Sequence, residues 1–303
     1  MTLLRSATIA VAATVMLAAT AGPAAAIVDG QQAQHPYPGM TALAVTYPGL
    51  GILKCAAIQI RPRYALTAAH CLSDFTVNPT VTAVTAELAS TRTGSTNRTS
   101  GGHTAVGATV LLQPDWAWLQ QTGRPPADLA VLRLDRPIPG PLATLPARPN
   151  ADHGPARIIG WGLTEYPVPA GTDLPEQLRQ RNVTRLPDTA CEGGAIGAGE
   201  LCVSPGACFG DSGGPTLQHR YQPGRGRTWV AVGLLSRETN TDTPCEKPTI
   251  NTDLGYYRPW IEATIAHDMA GGHSTVPPAG PAPVTAARAD EPAGFTFFMT
   301  PAQ

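Results

Sequence analysis

The feature that most constrains this chain is the run Ala207-Cys208-Phe209-Gly210-Asp211-Ser212-Gly213-Gly214-Pro215. A serine between an aspartate and two glycines, with another glycine before the aspartate, belongs on a tight turn where backbone N–H groups converge on one point. An activated nucleophile beside an oxyanion hole needs that arrangement. Such a turn does chemistry only if the chain also supplies a base and a group that orients the base.

With 303 residues, 43% of them hydrophobic, the chain has material for a sizeable core in one large or two small domains. Its 21 basic and 22 acidic residues leave a net charge of −1. That balance argues against nucleic acid or an anionic membrane surface as the main partner. Six cysteines, at 55, 71, 191, 202, 208 and 245, contain no Cys-x-x-Cys pair, and their one close histidine is His70, beside Cys71. Zinc spacing is therefore missing, and disulfides are the default in an exported chain.

The first 26 residues read as a signal peptide. Arg5 gives a basic start, residues 7–21 are apolar and uncharged, Gly22-Pro23 breaks a helix, and Ala24-Ala25-Ala26 fits the small-x-small cleavage rule. The apolar run is shorter than the roughly 20 residues of a spanning helix. Cleavage after Ala26 leaves a chain that starts Ile27-Val28-Asp29-Gly30 and is secreted.

Beyond it come short apolar or alternating runs, at 40–46, 51–60, 64–67, 81–88, 104–112 and 129–134, broken by Gly, Pro, Asn and Asp. A second set lies at 156–162, 176–186, 199–203, 216–219, 229–236 and 249–253. Runs of this kind predict an all-β fold. Between the sets, 136–150 is too proline-rich for a central strand and reads as a linker. At 257–268, Trp260, Ile261 and Ile265 fall at helical spacing with Pro259 near the start, which predicts one closing helix. The rest, to residue 303, is rich in Pro, Ala and Gly and is expected to be disordered. Its apolar end, 295–299, is too short to span a bilayer.

His70 ends the apolar run 66–69, and Asp128 opens the run 128–134. Together with Ser212 they supply a base, an orienting acid and a nucleophile. On these residues, and on Gly160-Trp161-Gly162, the chain resembles the trypsin/chymotrypsin-like secreted serine peptidases over 27–267. The order His, Asp, Ser differs from that of subtilisins and α/β-hydrolases. The resemblance implies two antiparallel β-barrels, about 27–135 and 151–256, with the active site between them and a closing helix at 257–267.

It also implies roles. Ser212 attacks an acyl carbonyl, His70 carries the proton, Asp128 holds the imidazole, and the N–H groups of Gly210 and Ser212 bind the oxyanion. Ser236 would hydrogen-bond Asp128, and the 236–238 backbone would pair with an extended substrate as an added strand. The implied disulfides are Cys55–Cys71, Cys191–Cys202 and Cys208–Cys245, and the freed Ile27 ammonium would pair with Asp211 to order the site. Asp29 departs from the family's usual glycine.

Gly206 and Ala207 leave the pocket base without the charge that selects Lys or Arg, so an apolar residue before the scissile bond is the first expectation, while Glu238 would narrow the pocket toward small residues, receive a basic side chain from the pocket wall, or stand as a solvated rim charge. Arg237 and Glu238 replace the usual tryptophan and glycine on the pocket rim, and Thr249 and Asn251 would line its far wall. Partners would be protein or peptide substrates and proteinaceous inhibitors, met by a monomer with no nucleic acid and no membrane after signal cleavage. No cofactor or metal is implied, since Glu87 is the only carboxylate in 81–103, too few for a calcium loop. The competing expectation is a peptidase-like binding protein whose site is occluded by the altered rim or by the tail.

Overall fold

Met40–Tyr47 shows how the sequence builds its strands: Thr41, Leu43, Val45 and Tyr47 are buried on one face, while Ala42, Ala44 and Thr46 on the other are more open. Period-two patterns of this sort recur along the chain and close two sheets on themselves. In the computed structural model the described residues are 27–74, 81–118, 126–169, 171–222, 224, 226–240, 242–272 and 299–300. The signal-peptide reading of 1–26 and most of the tail lie outside them.

The first barrel contains β2 (Met40–Tyr47), β3 (Gly51–Arg61), β4 (Tyr64–Thr67), β5 (Ala89–Thr93), β6 (His103–Leu112) and β7 (Ala130–Leu134). It runs β3-β2-β5-β6-β7-β4 and closes through β3–β4 pairing, antiparallel throughout. The second contains β8 (Gly154–Gly160), β9 (Arg179–Leu186), β10 (Glu200–Val203), β11 (Pro215–Gln222), β12 (Gly226–Glu238) and β13 (Thr249–Asp253), and closes through β8–β9. The two barrels and the C-terminal helix α1 (Arg258–Met269) give the fold class expected from the sequence.

Leu43, Val45, Leu53, Leu132 and Leu134 fill the first barrel. A second cluster joins both barrels to the helix, with Ile58, Leu66 and Leu129 packed among Trp161, Leu234, Trp260 and Ile261. The helical spacing of Trp260, Ile261 and Ile265 therefore serves to pin α1 across the junction, each buried side chain contributing about 1.5–3 kcal/mol.

Several boundaries differ from the sequence reading. The run 81–88 is not a strand: Ala86–Leu88 is a 3-10 turn and the strand is β5, Ala89–Thr93. Its inward residues are Ala89, Thr91 and Thr93, whose weak apolar signal hid it. The segment after Ile27, counted with the first barrel, belongs to the second, because β1 (Gln31–Gln32) pairs with Gln180 and Arg179 of β9. The closing helix begins and ends slightly later than expected, and Met299–Thr300 of the tail form β14 on the edge of β3.

Candidate active site

Three connecting segments bring His70, Asp128 and Ser212 to the junction between barrels. β4 ends at Thr67 and leads into the 3-10 turn Ala69–Leu72, which carries His70 and is tied back to β3 by the Cys55–Cys71 disulfide. Asp128 lies just before β7 and is fully buried. Its Oδ2 accepts hydrogen bonds from His70 Nδ1 at 2.8 Å and Ser236 Oγ at 2.7 Å, while Oδ1 accepts the His70 backbone N–H at 2.9 Å. Because the Asp128 carboxylate can only accept, Nδ1 carries the proton of this bond and the imidazole is fixed in plane, with Nε2 3.6 Å from Cys71 Sγ. A β-bulge in the β12–β13 register falls between Leu235 and Arg237 and takes Ser236 out of the ladder toward Asp128.

The Ser212 turn closes on the same strands. The carbonyl of Ser212 accepts the N–H of Ala56, on β3, at 2.7 Å. Gly213, at φ 73°, lies so close that a Cβ there would land on Ala56 O and Thr67 Oγ1 and come within 3.0 Å of the Ala68 amide nitrogen, two residues before His70. Only glycine allows that approach. Among the described residues, the backbone N–H groups of Gly210 and Ser212 have no hydrogen-bond acceptor, so the turn presents two unclaimed donors.

Asp211 supports the turn from behind. It is buried, with Oδ1 accepting the Gly162 N–H at 2.7 Å and Oδ2 the Cys208 N–H at 3.0 Å. Burial pushes its carboxyl up to about 7, because these two donors do not offset the loss of water. Ile27 is wholly buried beside Ala207, and the Val28 N–H donates to Gly206 O at 3.0 Å. Asp29 holds φ at 54°, the left-handed conformation that a glycine adopts freely, and Arg181 reaches both Val28 O and the Asp29 carboxylate.

The residues expected to line the pocket behave unequally. Cys208–Cys245 and Cys191–Cys202 are both bonded. Glu238 turns toward the first of these bridges and accepts the Cys245 N–H at 2.7 Å, and burial raises its carboxyl to about 7. Thr249 and Asn251 are almost fully buried, with Asn251 accepting from Thr216 Oγ1 at 2.8 Å and donating to Thr249 Oγ1. Arg237, expected on the pocket rim, is itself almost fully buried. Its guanidinium is buried against both carboxylate oxygens of Glu200 and donates to Gly194 O at 3.0 Å. Burial pushes the Glu200 carboxyl up and Arg237 opposes it. The sequence reading missed Glu200; its one signal was a lone carboxylate opening an apolar strand.

Cys55, His70 and Cys71 form the one cluster of metal-ligand type among the described residues, and the disulfide occupies both sulfurs. No helix among the described residues is long and apolar enough to cross a membrane.

A family model described as Trypsin matches residues 27–261. A snake venom serine protease of Bothrops insularis is 27% identical over 50% of this chain and 58% of its own length. Serine protease 41 of Homo sapiens is 26% identical over 71% of this chain and 69% of its own. Transmembrane protease serine 11G of Rattus norvegicus is 26% identical over 79% of this chain and 55% of its own. The chain thus spans between about half and about two thirds of the length of these relatives.

Proposed function

The chain belongs to the trypsin family, and on that premise we propose that it is a secreted serine endopeptidase that hydrolyses peptide bonds through an acyl-enzyme. Ser212 is the nucleophile, His70 the general base and then acid, and Asp128 the residue that holds the Nδ1 proton and stabilises the imidazolium. Gly210 and Ser212 donate their free N–H groups to the oxyanion. The observation that carries this reading is the buried Asp128 carboxylate, which takes both the ring and the backbone of His70 while the Ser212 turn is held on the adjacent strand.

Ile27 and Asp211 form the activation pair. Signal-peptide cleavage after Ala26 frees the ammonium that Asp211 lacks, so a separate propeptide is unnecessary. The residue before the scissile bond is apolar or small, because Gly206 and Ala207 carry no charge and Glu238 is drawn aside onto the Cys245 N–H. Substrates and inhibitors are proteins or peptides, and the enzyme acts as a monomer outside the cell.

The test is labelling by a fluorophosphonate probe, with N-terminal sequencing of the labelled protein. Labelling of a chain starting at Ile27, abolished in Ser212→Ala, is expected, and a different mature start would overturn the activation scheme. A panel of peptides varied before the scissile bond should favour apolar or small residues; a strong Arg preference would overturn the pocket assignment.

A second reading, a peptidase-like binding protein with an occluded site, draws on β14, whose Met299 and Thr300 pair with Leu53 and Ile52, the residues just before Lys54 on β3. A chain ended after Gly272 separates the two. Equal labelling of both lengths favours the open enzyme, and labelling only after truncation favours occlusion.

A further inference from the structure

A groove of about 310 Å³ begins at Gly210 and runs over the outer face of the first barrel, floored by small side chains such as Ala42, Ala44 and Ser90. Lys54, Arg92, Arg98 and Arg136 line it, and no carboxylate does. In a chain with 21 basic and 22 acidic residues, four cations without one acid on a single concave surface is a local separation of charge. Lys54 is also one of only two lysines in the chain, the other being Lys247.

The neutralisation available is partial. Asp173 reaches Lys54 and, at 3.0 Å, Arg98, and its side chain is half exposed, outside the lining. Burial opposes its ionisation, but the two cations together hold its carboxyl below the usual range. Arg136 pairs with Asp135 at 3.1 Å, and Arg92 donates to the carbonyl of Gly101. Four cations thus share two carboxylates, and the groove keeps a positive field.

Its position decides what enters. Gly206, Ala207 and the 236–238 edge of β12 lie on the side of Ser212 assigned above to the acyl half of the substrate. None of those residues lines the groove, which instead runs from Gly210 past Lys54 and Cys55 on β3, next to Ala56, whose N–H bonds Ser212. We propose that this groove binds the leaving half of the substrate and selects polypeptides with acidic residues shortly after the scissile bond. The inference rests on the peptidase reading and deepens it by naming a substrate class. Lys54, Arg92 and Arg136 are the residues that determine specificity, while Arg98, which also donates to Leu174 O at 2.6 Å and Pro175 O at 3.0 Å, holds the wall.

The experiment uses internally quenched peptides with one common sequence up to the scissile bond and Asp, Ala or Lys at the second to fourth positions after it. A short nitroanilide, with nothing beyond the leaving amine, is run in parallel. The expected order of kcat/KM is Asp, then Ala, then Lys, with about threefold or more per charge in low salt. The spread should shrink in high salt, where screening shortens to about 3 Å at 1 M. Arg92→Glu and Arg136→Glu should compress or invert the order while leaving nitroanilide turnover in place. Nitroanilide turnover with equal rates across the peptides, or with Lys preferred, overturns this inference and leaves the peptidase reading standing. Loss of nitroanilide turnover in the wild type overturns the peptidase reading itself. The wild-type panel is decisive even if a variant fails to fold.

Discussion

Ser236 Oγ donates to Oδ2 of Asp128 at 2.7 Å, the same oxygen that accepts from His70 Nδ1. The bulge in β12 that aims Ser236 at Asp128 thereby ties the second barrel to an acid and a base carried by the first. Removing that hydroxyl leaves a fully buried carboxylate short of one donor. A hydrogen bond to a charged group is worth about 1.5–3 kcal/mol, so Ser236→Ala should lower kcat by roughly 10- to 100-fold with little change in KM. Ser236→Thr, which keeps the hydroxyl, should recover most of the rate. Steady-state kinetics on one peptide substrate checks both, and an unchanged kcat in Ser236→Ala would remove Ser236 from the proposed network.

Gly213 sets the distance between the Ser212 turn and the strand that leads to His70. An added methyl would meet the Ala56 carbonyl and Thr67 Oγ1, in a backbone conformation of φ 73° that alanine resists. The turn must move, and a displacement of about 1 Å at reacting atoms costs on the order of 10²-fold. Gly213→Ala should therefore lose at least that much kcat/KM while retaining its disulfides and circular dichroism. Near-normal turnover would contradict the close approach described above.

Arg237 and Glu200 form a buried ion pair, with both side chains almost wholly excluded from water. Deleting one partner strands the other charge, at a cost of about 3–5 kcal/mol. Arg237→Ala should lower the urea midpoint accordingly, whereas the double replacement Arg237→Met with Glu200→Leu should return to within about 1 kcal/mol of the parent. Substrate preference should change little in the double variant, because the Arg237 guanidinium is already engaged by Glu200 and the Gly194 carbonyl. A large shift in preference with stability intact would place Arg237 in substrate binding after all.

The Asp211 carboxyl is raised from 3.8 to about 7 by burial. A carboxyl with a raised folded pKa binds its proton more tightly when folded, so its contribution to stability is greatest below about 4 and is lost as pH rises through about 7. An ammonium at Ile27 would hold Asp211 ionised and cancel that loss. In a Ser212→Ala background, a chain starting at Ala26 should fall behind one starting at Ile27 in Tm as pH rises from 4 to 7. Asp211→Asn should bring the two curves together. Parallel curves without the substitution would refute the activation pair.

Much of this protein is legible along the chain because the signals are local. The period-two alternation of 40–46 and 51–60 follows from strand geometry alone, and the glycines around Ser212 mark a turn that a bulkier sequence resists. β5 was illegible because its inward residues are Ala89, Thr91 and Thr93, which bury well but carry little hydropathy. The inward turn of Arg237 was illegible for another reason. A strand residue has two faces, and the bulge after Leu235 decides which one Arg237 takes.

The sequence by itself determined the all-β class, the two sets of strands, the cysteine content and the residues fit to act as nucleophile, base and acid. Backbone sterics and side-chain chemistry act over a few residues, so a short window carries them. Tertiary structure alone decided that Glu200 would meet Arg237, that Asp29 would take a glycine-like conformation beside Arg181, and that Lys54, Arg92, Arg98 and Arg136 would share one groove. Charges distant in sequence become neighbours only when barrel closure fixes strand order and register, and their mutual field has no meaning before that closure.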